Sequence, residues 1–157
     1  MQSERSRAIP VGRIFMSVAA VAAPVGAFAA DWNETHVFNP KWTPHAKFHN
    51  AQTIDLAATA AGLTLHEAWR PGRINRDRLR TAAIYASLFW VTQIPAPFFP
   101  GSAVVDPDNK LQPFTKWGIP INQVTGAAIM VPLLIAAYAL EARRLPKLTG
   151  PGSGATE

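Results

Sequence analysis

Four apolar stretches, at 13–30, 51–69, 81–99 and 121–140, leave this 157-residue chain few ways to fold. Each is about 18–20 residues long, and at ~1.5 Å of rise per residue such a helix crosses a hydrocarbon layer ~30 Å thick. A single soluble domain of this length would not collect its apolar residues into such blocks. The mean hydropathy of +0.06 is low because the linkers and tails are polar. The expected fold is all-α, a four-helix transmembrane bundle with both termini cytoplasmic and two outward loops. One membrane domain covers 1–148, with helices at about 13–30, 44–69, 81–99 and 121–141, and 149–157 is a disordered Gly/Pro/Ser tail.

The basic residues give the orientation. Of the 15 Lys and Arg, Arg5, Arg7, Arg13, Arg70, Arg73, Arg76, Arg78, Arg80, Arg143, Arg144 and Lys147 fall on one side of the four runs, and only Lys41, Lys47, Lys110 and Lys116 on the other. Basic residues favour the cytoplasmic face, so the protein is expected as a multi-pass integral membrane protein, in the plasma or inner membrane if the source is a bacterium. A nucleic-acid partner is excluded, because such proteins gather their charge on one folded face and not between apolar runs. With no cysteine, neither a disulfide framework nor a thiolate metal site is available.

The first run has two readings. Arg5, Arg7 and Arg13, an apolar core and the ending Gly26-Ala-Phe-Ala-Ala30 match a cleavable secretory signal. Its full spanning length matches a retained helix, which is the expectation adopted. Thr43 followed by Pro44 opens the second helix, as N-cap and first helical residue. From 44 to 69 this helix is about 39 Å long, and Trp42 and Trp69 mark the two interfaces. Rich in Ala, Thr and Gly, with Ala58 and Gly62 as a small-xxx-small pair, it is expected at the centre of the bundle. The third run ends among Pro95, Pro97 and Pro100. Asp106-Pro-Asp-Asn109 is a turn signal and lacks the glycine and distal glutamate of a calcium loop. Pro132 predicts a kink in the fourth helix, tolerable inside a bundle.

The residues with chemistry gather toward the outer side. On the second helix His45, His49, Gln52, Asp55, Thr59 and His66 share an arc of about 120°. Gln93, Asn122 and Gln123 are expected at the same level, beneath a loop carrying Asp31, Glu34 and His36. A polar stripe of this kind must face protein or water, because unpartnered polar groups in hydrocarbon cost several kcal/mol. Asp55 is expected about 9 Å deeper than His49, where a carboxyl costs at least ~2.5–3.5 kcal/mol unless paired or protonated. Three readings stand side by side. In the first, His45 and His49, at i, i+4 spacing, hold a divalent metal with Glu34. In the second, His45, His49 and Asp55 form a metal-free acid–base site, with Glu34, His36, Gln52, Gln93, Asn122 and Gln123 binding the ligand. In the third, the histidines and tryptophans are an interfacial belt that touches membrane lipids, and Asp55 only fixes helix register.

The segment Trp32-Asn-x-Thr-His-x-Phe-Asn-Pro-x-Trp-x-Pro-His-Ala-x-Phe-His49 resembles a family of small four-helix membrane proteins of unknown function from bacteria and fungi, sometimes labelled acetyltransferases. The resemblance implies a four-pass membrane protein and no particular reaction. An acetyl-CoA site would need a glycine-rich phosphate loop before a helix or a nucleophile–base pair, and the sequence offers neither. The expected function is binding or modification of a small amphipathic, lipid-like molecule at the outer face. The alternative is a non-enzymatic accessory subunit packed on a partner membrane protein.

Overall fold

The computed structural model describes residues 9–105, 115–116, 118–120 and 122–145. The expected turn at 106–109 and tail at 149–157 lie outside them. Four helices carry the fold: α1 Val11–Asp31, α2 Pro44–Trp69, α3 Arg76–Thr92 and α4 Gln123–Arg144, with a 3-10 turn at Ala96–Phe98 and a minimal antiparallel pair, β1 Thr115–Lys116 and β2 Ile119–Pro120, before α4.

Local chemistry sets the helix starts. Thr43 accepts a hydrogen bond from the Ala46 amide at 3.2 Å and opens α2. Asn75 does the same for α3 through Arg78 N at 2.9 Å, so α3 begins inside the arginine-rich loop and not at residue 81. It stops at Thr92, because the prolines at 95 and 97 cannot continue the amide ladder. Asn122 and Thr125 form a reciprocal capping box, each side chain accepting from the other's amide at 3.0 Å, and α4 starts at Gln123.

The helices run alternately up and down. α1 and α3 touch each other and both remaining helices, so they form the central pair, flanked by α2 and α4. The expectation that α2 is the central helix is therefore corrected. Its buried face is Ala57, Ala60, Ala61, Thr64 and Ala68, whereas Ala58 is exposed and a Cβ on Gly62 would meet nothing within 4 Å. The small residues that admit a neighbour are one step round the helix from the pair the sequence suggested.

The core is mostly alanine: Ala19, Ala20, Ala61, Ala86, Ala137 and Ala142 surround Met16, Leu79 and Leu134. Small side chains let backbones approach closely, and α1 lies tightly against α4 at Gly12. A Cβ there would lie 2.3 Å from the Ala137 carbonyl oxygen and 2.8 Å from Glu141 Cβ.

Polar side chains clamp one end of the bundle. Glu141, only 4% exposed, pairs with Arg13 at 3.3 Å and Arg144 at 3.5 Å, joining α1 to α4. Arg13 also reaches the Ala68 carbonyl at 3.3 Å and lies 4.8 Å from the Trp69 ring centre, while the Trp69 indole N–H donates to Ser17 at 2.8 Å. Arg78, 8% exposed, donates to the carbonyls of Glu67 and Arg70, at 3.0 and 2.8 Å, and more distantly to those of Gly72 and Arg73. One guanidinium thus caps the end of α2 and shapes the α2–α3 turn.

Two helices, α1 and α4, are long and apolar enough to cross a membrane. α2 fails that test because of its polar residues, and α3, with 17 residues and charges at Arg76, Asp77, Arg78 and Arg80, is too short.

Candidate functional site

At the end of the bundle away from the arginines, the helices diverge around a cavity of about 410 Å³. Its floor is made by the small residues Ala22, Ala23, Gly26, Ala27 and Ala30 of α1. Phe89 and Trp90 of α3 add aromatic surface, and the Trp90 indole N–H is held by the Ala19 carbonyl at 3.3 Å. The polar part comes from every helix: Asp31, Thr53, Thr92, Gln93, Asn122 and Gln123. A second hollow of about 210 Å³ adjoins it, sharing Gln93, Ala96 and Gln123 as a common wall. Among the described residues the Gln93 Oε1 atom is buried without a hydrogen-bond partner, a costly state for an amide oxygen.

Asp31 ends α1 and connects the cavity to the loop above it. Its Oδ2 accepts from Asn50 Nδ2 at 2.6 Å, and His36 Nε2 stands 3.7 Å from its Oδ1. On the far side of the ring, His36 Nδ1 lies 2.7 Å from Thr35 Oγ1, whose own proton goes to Asn33 Oδ1 at 2.6 Å. The Thr35 oxygen is therefore the acceptor, and the chain places a proton on His36 Nδ1. Asn33 also accepts from the Thr35 amide at 2.9 Å and Asn39 bonds the Thr35 carbonyl at 3.1 Å, so the loop is folded on itself by Asn and Thr side chains. Aromatic contacts hold it down: Phe28 stacks on Trp32 at 4.9 Å, and Trp42 meets the edge of His36 at 5.1 Å. An imidazole next to a carboxylate at a cavity wall can orient a polar head group or exchange a proton with it.

The histidines of α2 are elsewhere. His45 and His49 are exposed, with their Nε2 atoms 3.0 Å apart and His49 Nδ1 3.2 Å from Gln52 Oε1. Gln52 Oε1 can only accept, so His49 is protonated at Nδ1 and its Nε2 accepts from His45. Two ring nitrogens at this separation suit two ligands of one metal ion. Glu34 stands exposed in the loop, and among the described residues no three His, Asp or Glu side chains gather into a metal-binding group. Asp55 is exposed, and neither it nor His45, His49 or Gln52 lines the cavity.

The structure thus separates what the sequence grouped. Gln93, Asn122 and Gln123 meet at one cavity, joined by Asp31 and, through Asp31, by His36. His45, His49 and Gln52 form a second cluster on the outside of α2, and Asp55 belongs to neither. The reason is rotational. The shared arc was real, but the Ala57–Ala61–Thr64–Ala68 face won the bundle interior and turned the arc outward. Asn50 and Thr53 were missed as site residues, and Asp31 was named only as part of the loop above the site. Asp31 and Asn50 carried a signal only as a carboxylate at a helix end and an amide three positions from Lys47 on the face opposite Gln52. Asn122 has a second duty as the cap of α4.

What the fold and site define is an all-α protein of four helices, two of them able to cross a membrane, with a cavity of mixed polarity at one end. More particularly, the chain belongs to a family of unknown function (DUF6640), whose model matches residues 15–150. That agrees with the uncharacterised family implied by the motif at 32–49. No curated protein and no solved structure shows significant similarity to it.

Proposed function

We propose that this protein crosses the membrane four times and holds a small amphipathic, lipid-like molecule in the 410 Å³ cavity at its outer end. The observation that carries the reading is the make-up of that cavity. Its apolar alanine and aromatic surface suits a hydrocarbon portion, and Asp31, Gln93, Asn122 and Gln123 suit a polar head. The unpartnered Gln93 oxygen adds a buried acceptor that a ligand O–H or N–H would satisfy.

Three features support the membrane placement. α1 and α4 have the length and hydropathy of spans. α2 runs antiparallel to α1 and is tied to it at both ends, by Trp69–Ser17 and by Asn50–Asp31. A helix fastened that way to a span crosses with it, and α3, packed on the other three, follows. Arg13, Arg70, Arg78 and Arg144 collect at the end opposite the cavity, and the preference of basic residues for the cytoplasmic face supports an outer position for the cavity. We further propose that α1 is retained, since it contributes Met16, Ala19 and Ala20 to the core.

Native purification followed by mass spectrometry tests the binding. Gly26 lines the cavity, and a Cβ there would meet nothing within 4 Å, so Gly26→Leu fills the space without disturbing the backbone. A small amphiphile should co-purify with the wild type and be lost from Gly26→Leu at unchanged stability. Equal recovery from both would refute the assignment.

A further inference from the structure

The charge and hydrogen-bonding character of the cavity wall narrow what its polar part can hold. Among the described residues Asp31 is the only ionisable side chain on that wall. Thr53 and Thr92 face the cavity too, but each hydroxyl proton is already given to a carbonyl of its own helix. Thr53 donates to His49 at 3.0 Å and Thr92 to Leu88 at 2.9 Å. What these hydroxyls still offer a ligand is lone pairs. Gln93 Oε1 is a buried acceptor without a partner among the described residues, and so is Asn50 Oδ1, on the amide that donates to Asp31. The amide nitrogens of Asn122 and Gln123 are donors, yet acceptors predominate.

The backbone points the same way. α1 ends at Asp31 and α3 at Thr92, so two helix C-termini, the negative ends of their dipoles, meet the cavity. The N-terminus of α4 reaches it as well, but the Thr125 amide there is already taken by Asn122 in the capping box. Beside Asp31, His36 carries its proton on Nδ1, toward Thr35. In the neutral imidazole Nε2 is then a bare lone pair, 3.7 Å from Asp31 Oδ1. Two acceptors at that spacing repel each other until a donor comes between them.

We infer that the polar end of the ligand is a protonated amine. The cavity takes a single-chain aliphatic amine, its ammonium on Asp31 and its chain along the alanine and aromatic surface. A buried ammonium is tolerated only when it is paired and hydrogen-bonded. Asp31 supplies the pairing, and the surrounding lone pairs supply acceptors for its three N–H groups. A carboxylate or phosphate head would meet Asp31 with no Lys or Arg among the described lining residues. A hydroxyl head would fill an acceptor but leave the Asp31 charge uncompensated. The volume of about 410 Å³ lies near the lower end of the ~300–1,000 Å³ typical of small-molecule pockets, which suits one chain better than two.

This assignment rests on the binding proposed above, and one competition experiment separates the two. The full chain, in nanodiscs of zwitterionic lipid at neutral pH, is offered equal amounts of dodecylamine, dodecanol, dodecanoate and dodecyl phosphate. Native mass spectrometry reads what is bound, and Gly26→Leu, with its cavity filled, gives the background from the bilayer. The wild type should retain dodecylamine above that background, by roughly tenfold or more over dodecanol, as a hydrogen bond between charged groups provides. Asp31→Asn should bring that ratio close to one. If Asp31→Asn does not fold, the wild-type order decides alone. Preference for any of the other three probes, equal retention of all four, or an amine preference that survives in Asp31→Asn would each overturn the amine and leave the cavity a binding site. Retention no higher than in Gly26→Leu for every probe would overturn both.

Discussion

Replacing Arg78 with lysine isolates what the tertiary structure adds to a residue that the sequence shows only as one of five arginines in a short loop. Lysine keeps the positive charge, so any role in membrane orientation is untouched. What it loses is the planar fork. In the folded protein the Arg78 Nε and both terminal nitrogens reach four carbonyls, the two best bonds being to Arg70 at 2.8 Å and Glu67 at 3.0 Å. The Glu67 carbonyl belongs to the last turn of α2 and has no helical partner to fall back on. A single ammonium on a flexible stem can hold one of these two short bonds well, not both. Losing one hydrogen bond to a charged donor costs ~1.5–3 kcal/mol. With a midpoint shift of ~2–4 °C per kcal/mol for a chain of this size, the expected fall is roughly 3–12 °C. Thermal unfolding of the purified protein, followed by circular dichroism in one detergent, measures it. Arg73→Lys is the control, since Arg73 is exposed and the change should stay within about 0.5 kcal/mol. If both variants melt with the wild type, the guanidinium cap has no energetic weight and the loop matters only for its charge.

Gly12→Ala should destabilise by ~1–3 kcal/mol, because the added methyl meets a main-chain carbonyl at 2.3 Å that cannot move aside cheaply; denaturant unfolding in detergent reads this. Gln93→Leu should leave stability unchanged or slightly higher, by removing a buried unpartnered oxygen, yet weaken retention of the co-purified amphiphile in native mass spectrometry. His49→Ala should leave that retention unchanged, since His49 does not line the cavity, while removing any divalent metal detected by elemental analysis; loss of the amphiphile instead would restore His49 to the binding site. Single cysteines at Asn39 and Asn75 should react with an impermeant reagent in intact cells only at position 39, and labelling at 75 would invert the topology.

The all-α class, four helices and the Thr43 cap of α2 could be read without coordinates, because they depend on local chemistry. Apolar runs of spanning length, Thr43 before Pro44 and polar residues clustered toward one end carry their meaning within a few residues. The end points of α3 were less legible, since apolar content marked residues 81–99 while Asn75 and the prolines, acting through backbone hydrogen bonds, set Arg76–Thr92. What no local rule decided was the rotation of α2 about its axis. Its polar arc and its alanine face both offer something to bury, and only the competition for close contact with α1 and α3 selects one. Alanines prevailed because backbones separated by methyl groups pack more closely than backbones separated by imidazoles and carboxylates. That one rotation removed His45, His49 and Asp55 from the cavity, left Gln93, Asn122 and Gln123 within it, and set Thr53, on another side of the same helix, beside Asp31 of α1. Sequence fixes which residues can share a face. Which way that face turns depends on neighbours tens of residues away, and so belongs to the tertiary structure alone.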